Sequence, residues 1–122
     1  GMTARILVTG SRTWTDNAPI RMALETWRRQ LPGAVLVHGD ARGADRIAAA
    51  IWCSWGLPTE AHPADWARHG RAGGHVRNRA MVALGATVCL AFIHNYSPGA
   101  SACAALAEAA GIPTHRTTQG NP

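Results

Sequence analysis

Lysine is absent from this sequence. All twelve basic side chains are arginine, set against seven acidic ones, for a formal charge of +5. Coding bias in an Ala-, Arg- and Gly-rich chain accounts for the missing lysine, so the positive excess by itself names no partner. Arginine does permit forked recognition of phosphate wherever a guanidinium stands at a site. Cysteine is scarce as well. Cys53, Cys89 and Cys103 are odd in number, form no C-x-x-C pair and lie in apolar stretches. That pattern excludes a disulfide framework and predicts buried, reduced thiols. The six histidines include no H-x-x-x-H pair, so no metal site is expected. Apolar runs such as Gly85–Ile93 are far too short to span a bilayer. Gly1 ahead of Met2 reads as a cloning remnant, and the segment through Arg5 enters a strand-like run without a signal-peptide pattern. A cytoplasmic protein with no membrane partner is expected.

What remains is a 122-residue chain, 47% hydrophobic, long enough to bury one core. Short apolar runs alternate with segments of helical period. Ile6–Val8 and Val35–Val37 read as buried strands, Thr87–Phe92 as a third, and Thr59–His62 and Ile112–His115 as short polar ones. Between them, four helices are marked by Ile20/Leu24/Trp27, by Ala44/Ile47/Ile51, by Val76/Ala80/Ala83/Leu84 and by Cys103/Leu106/Ala110. Such alternation predicts a Rossmann-like three-layer α/β/α sandwich on a parallel five-stranded sheet. Placing the apolar strands centrally gives the order 3-2-1-4-5, with a ligand-binding switch point between strands 1 and 4. Residues 4–116 would form one domain and 117–122 a disordered tail. Five tryptophans exceed what one small core easily holds, which predicts a homodimer or larger assembly.

Helix-to-strand connections are plain, whereas strand-to-helix loops carry nearly all the chemistry. The first offers Gly10 for close backbone approach, hydroxyls at Ser11 and Thr13, and the fork of Arg12. The second, His38–Asp45, places Gly39, Asp40, Gly43 and Ala44 where a helix opens, a setting for an anion. Asp45 in that first turn either serves the helix dipole or touches a ribose hydroxyl. The third, Pro63–Gly74, is long for so small a domain. Its Trp66 either stacks on a base or plugs the loop, and the helix after it sets Arg77 in its first turn, followed by Asn78. The fourth brings Gly99 to a helix start, with Ser97 and Ser101 as candidate caps.

At these loops the chain resembles the YspA-like branch of the SLOG superfamily, which also contains the Lonely Guy phosphoribohydrolases and the DNA-processing protein DprA. The resemblance rests on Gly10-Ser11-Arg12-Thr13, His38–Asp45, Ala64-Asp65-Trp66, Arg77–Met81, Gly99-Ala100 and Ala110–Pro113, in order over most of residues 5–115. It implies recognition of a phosphorylated nucleotide or nucleotide-derived small molecule, by a sensor or sequestering module without a cofactor. A nucleotide-processing N-glycosidase is the alternative, with Arg77 and Asp45 as catalytic candidates. Arg77 and Met81 match the Lonely Guy R-K-x-x-M motif; the Glu that closes its P-G-G-x-G-T-x-x-E motif falls on Cys103. Single-stranded DNA binding, as in DprA, is a further alternative; against it, the longest basic cluster is Arg28-Arg29.

Overall fold

In the computed structural model, which describes residues 3–120, five strands form one parallel sheet in the order β3-β2-β1-β4-β5. The strands are β1 (Arg5–Gly10), β2 (Val35–His38), β3 (Thr59–Ala61), β4 (Val88–His94) and β5 (Thr114–Gln119). The helices are α1 (Asn17–Gln30), α2 (Ala44–Ser54), α3 (Trp66–His69), α4 (Gly73–Ala83) and α5 (Pro98–Ala109), with one 3₁₀ turn at Gly70–Ala72. The predicted fold class and strand order hold. Six of the seven β4 residues are buried, as a central strand covered on both faces requires.

Alternation along the strands sorts the core into two layers. Ile6, Val8, Leu36, Leu90 and Phe92 pack against α1 and α2, through Ile20, Leu24, Ala48 and Trp52. Leu7, Val37 and Cys89 turn to the other face and meet Met81 and Val82 of α4 and Cys103 and Ala107 of α5. The chain changes faces after β3, and the sheet reverses direction between β1 and β4. The loops after the strands therefore converge at that reversal.

Several expectations need correction. The segment 63–74 is not an open loop: α3 and the 3₁₀ turn occupy most of it, and α4 begins at Gly73. Arg77 thus lies in the second turn of α4. The buried positions of α4 include Asn78, Met81 and Val82, whereas Ala80, Ala83 and Leu84 face outward, Leu84 at 59% exposure. The apolar stripe read from Val76, Ala80 and Leu84 is the wrong face, because the helix turns a polar residue, Asn78, inward. The last strand lies two residues later than expected and absorbs part of the supposed tail: Thr117, Thr118 and Gln119 pair with Phe92, Ile93 and His94. An edge strand has solvent beside it, so its sequence can be as polar as a tail. Asn121 and Pro122 of that tail, and Gly1 and Met2, lie outside the described residues.

The tryptophan surplus dissolves within one chain. Trp14 and Trp52 are fully enclosed, with Trp52 donating its indole N–H to Ala34 O (3.0 Å). Trp27 and Trp55 pack on the same core layer, and Arg28 lies over the Trp55 ring at 4.1 Å. Trp66 alone stands out, at 47% exposure. The tryptophan count therefore gives no argument for an oligomer.

All three cysteines are free, but Cys53 is exposed, since α2 turns Ala48, Ile51 and Trp52 to the core and Cys53 away. Burial pushes the Cys89 thiol up to about 12 and raises that of Cys103. Because the thiolate is the reactive form, iodoacetamide at pH 8 is expected to modify the native protein once, at Cys53. Mass spectrometry after denaturation should then find three adducts. Rapid native labelling of Cys89 or Cys103 would contradict the packing of α5 on β4. No helix among the described residues is long and apolar enough to cross a membrane.

Candidate functional site

The first element of the site is the end of β1. A Cβ on Gly10 would meet Ala44 Cβ and lie 2.8 Å from Phe92 O, so only glycine lets α2 and β4 close in here. Ser11 follows and is buried. Its N–H donates to Phe92 O (2.9 Å), its Oγ accepts from His94 N (2.8 Å), and its carbonyl accepts from Trp14 N and Ala44 N (3.2 Å each). Ser11 is thus a strut joining β1, β4 and the start of α2. Gly43 abuts the Ser11 and Arg12 backbone at φ 81°, a conformation and a clearance that exclude a side chain.

The opening of α2 is not the free anion site that the sequence suggests. Asp45 folds back, and its Oδ2 accepts from Gly39 N (2.9 Å) and Ala41 N (3.4 Å). Two amides of the loop before the helix thus hold the protein's own carboxylate, and the Ala44 N–H at the helix start is taken by Ser11 O. Neighbouring Asp40 sits at φ 54° with its N–H donated to His38 Nδ1 (3.0 Å). Burial lowers the pKa of that imidazole, which suits its role as acceptor.

Asp45 is 4% exposed, and its Oδ1 is buried without a hydrogen-bond partner. Burial lifts its carboxyl to about 6 against the opposing pull of Arg77 and of the two amides. Arg77 reaches across from α4 to the same loop without pairing directly with the carboxylate. One guanidinium nitrogen donates to Gly39 O (2.5 Å) and, at the limit of range, to His62 O (3.5 Å), while Nε donates to Asn78 Oδ1 (2.7 Å). The buried face of Asn78 is explained: it orients the arginine.

These groups line a cavity of about 470 Å³ at the sheet reversal, within the range of small-ligand sites. Of the residues singled out in the sequence, Gly10, Arg12, Thr13, Asp45, Trp66, Arg77, Asn78, Ser97 and Gly99 border it. Ser11, Gly39, Asp40, Gly43, Ala44 and Ser101 do not; most of them shape the loops behind it. The structure adds Thr9, Arg71, His75 and Ala100 to the wall. Arg71 comes from the segment that sequence reading leaves as a loop, and His75 from the first turn of the helix that follows it. At the α5 end, Ser97 holds the cap position without a side-chain bond, and Pro98 opens the helix. Ser101 lies inside α5, its N–H donated to Ser97 O (3.1 Å).

Trp66 closes the rim. Its indole lies on the backbone of Gly73 and Gly74, where a Cβ at Gly73 would come within 2.9 Å of the ring. The Arg12 guanidinium stacks on the indole at 5.1 Å from the ring centroid. Three arginines thus face the cavity against one carboxylate. Among the described residues no cluster of three or more His, Cys, Asp or Glu could hold a metal ion.

A family model described as "YspA, cpYpsA-related SLOG family" matches residues 4–69, the stretch that supplies β1, the Asp45 loop and Trp66. The chain is also 45% identical over 117 residues to "Gene 61 protein" of Mycobacterium phage D29, covering 89% of this chain and 92% of that protein. No solved structure matches. By sequence match and by the fold that carries it, the chain belongs to the YspA, cpYpsA-related SLOG family.

Proposed function

We propose that the protein binds a phosphorylated nucleotide or nucleotide-derived ligand in the cavity at the sheet reversal. The observation that carries this reading is Asp45 Oδ1, a buried acceptor without a partner in a wall that is otherwise cationic. An orphaned acceptor costs stability, and a ligand hydroxyl would satisfy it. The first-turn amides of α5, uncapped by any side chain, together with Arg71 and Arg12, supply what a phosphate needs. Ribose carrying a phosphate offers both halves in one molecule. A base attached to it has the Trp66 rim beside it.

Titration calorimetry with AMP, ribose 5-phosphate and adenosine tests the assignment. AMP and ribose 5-phosphate are expected to bind, and adenosine at least tenfold more weakly than AMP. Adenosine binding as well as AMP would remove phosphate from the assignment.

A second reading, N-glycosidic hydrolysis, is favoured by one observation. The Lonely Guy glutamate position falls on Cys103, but Asp45 borders the same cavity as Arg77. The cavity therefore holds a carboxylate, contributed by α2 instead of α5. Hydrolysis of AMP would release adenine and ribose 5-phosphate, consuming one water. Chromatography after prolonged incubation decides it: free adenine in excess of an Asp45→Asn control supports hydrolysis, and intact AMP leaves binding alone.

A further inference from the structure

Beyond the Arg12–Trp66 stack lies a second concavity of about 350 Å³. It shares Arg12, Ala41, Trp66 and Arg77 with the first as a common wall. On its own side it adds Arg42, Arg46 and Asp40. The charge there is unbalanced: four guanidinium groups face a single carboxylate. Among the described residues Asp40 pairs only with Arg46, at 3.5 Å and half-exposed, which is a weak pairing. Among the described residues Arg42 has neither a hydrogen bond nor an ion pair. Among the described residues Arg12 is engaged only by the Trp66 face.

We propose that this second concavity is a binding subsite, and that the ligand is two-headed: a nucleotide extended through a pyrophosphate to a second hydroxylated unit. The inference rests on the reading that a nucleotide occupies the first cavity. The shared wall is where a pyrophosphate would pass, because Arg12 and Arg77 border both sides of it. A terminal sugar or second nucleoside would then lie among Arg42, Arg46 and Asp40. The Asp40 carboxylate accepts hydroxyl hydrogens, and the arginines donate to ring and hydroxyl oxygens. A mononucleotide would leave this half of the charged surface without a partner. The two volumes together stay within the range of small-ligand sites.

The discriminating experiment titrates AMP, ADP, ADP-ribose and a ten-nucleotide oligo(dT) into the full chain and into the Arg42→Ala/Arg46→Ala double variant. Both arginines are exposed, and circular dichroism would verify that the variant folds. ADP-ribose is expected to bind the native chain at least tenfold more tightly than AMP and several-fold more tightly than ADP. The variant should lose that advantage while its affinity for AMP stays within twofold. Equal affinity for AMP and ADP-ribose would overturn the subsite and leave the nucleotide reading standing. Equal affinity for ADP and ADP-ribose would reduce the effect to charge and overturn the second head. A variant weakened alike for AMP and ADP-ribose would do the same. Failure of AMP, ADP and ADP-ribose alike to bind would overturn both readings. The oligonucleotide binding more tightly than ADP-ribose, with loss in the variant, would make the surface a nucleic-acid groove instead.

Discussion

Asp45→Asn is expected to make the protein more stable and less able to bind. The carboxyl titrates at about 6 in the folded chain and near 3.9 when unfolded. Between those values the native state holds the extra proton, so this group's contribution to stability falls as pH rises through the window. Above it, the buried charge costs about 3 kcal/mol; below it, the cost disappears. Asparagine keeps an acceptor for Gly39 and Ala41 N–H without the charge. At pH 8 the variant should melt roughly 10 °C higher, with the gap closing toward pH 4. Scanning calorimetry of both proteins from pH 4 to 8 reads this directly, because other groups cancel in the difference. Affinity for a phosphorylated nucleotide should fall at least tenfold in the same variant. Equal stability at pH 8 would mean that Arg77 and the two amides fully offset the burial of the carboxylate.

Arg77→Ala is expected to damage fold and site together. The guanidinium ties α4 to Gly39 O, on the loop that also carries the Asp45 amide cradle. Removing it orphans that carbonyl and takes away the charge opposing Asp45. Loss of one charge-assisted bond with an unpaired group left behind should cost about 2–4 kcal/mol. The melting point should drop by roughly 10 °C, and Asp45 should titrate still higher. Arg77→Lys should recover only part, since an ammonium reaches one carbonyl but cannot also hold Asn78. In an Asp45→Asn background the same truncation should be milder, because no buried charge then lacks a counterpart. Strict additivity of the two changes would show that arginine and carboxylate do not act on each other.

The sheet was legible because its chemistry is graded. Three strands read as continuous apolar runs and two as polar, and that contrast orders them. The faces of α4 were not legible, since Asn78 is buried to hold an arginine and Leu84 is left outside; period alone cannot tell a polar residue with an internal task from one facing water. Gly73-Gly74 reads as a break but opens a helix, because the Trp66 ring needs a surface without side chains. Arg12, Asp45, Arg77 and Gly99 could be named from their places at the ends of strands and starts of helices. That Asp45 would fold back onto the Gly39 and Ala41 amides of the preceding loop could not, for a first-turn carboxylate serves the helix dipole or a ligand at the same position. Sequence spacing does not single out Arg71 or His75, because the turns between β3 and α4 bring them to the cavity.

The Arg12–Trp66 stack also gives the chain an optical consequence. Trp14 and Trp52 are enclosed, and Trp27 and Trp55 are partly buried against the same core layer, so their emission is the more screened from solvent. Trp66 stands alone at the rim, half in water, with a guanidinium on one face and a pair of glycines under the other. Aqueous quenchers therefore reach one indole far more readily than the rest, and that indole sits on the wall between the two concavities. Whatever displaces Arg12 or settles against the ring changes the light the protein emits, without any label attached.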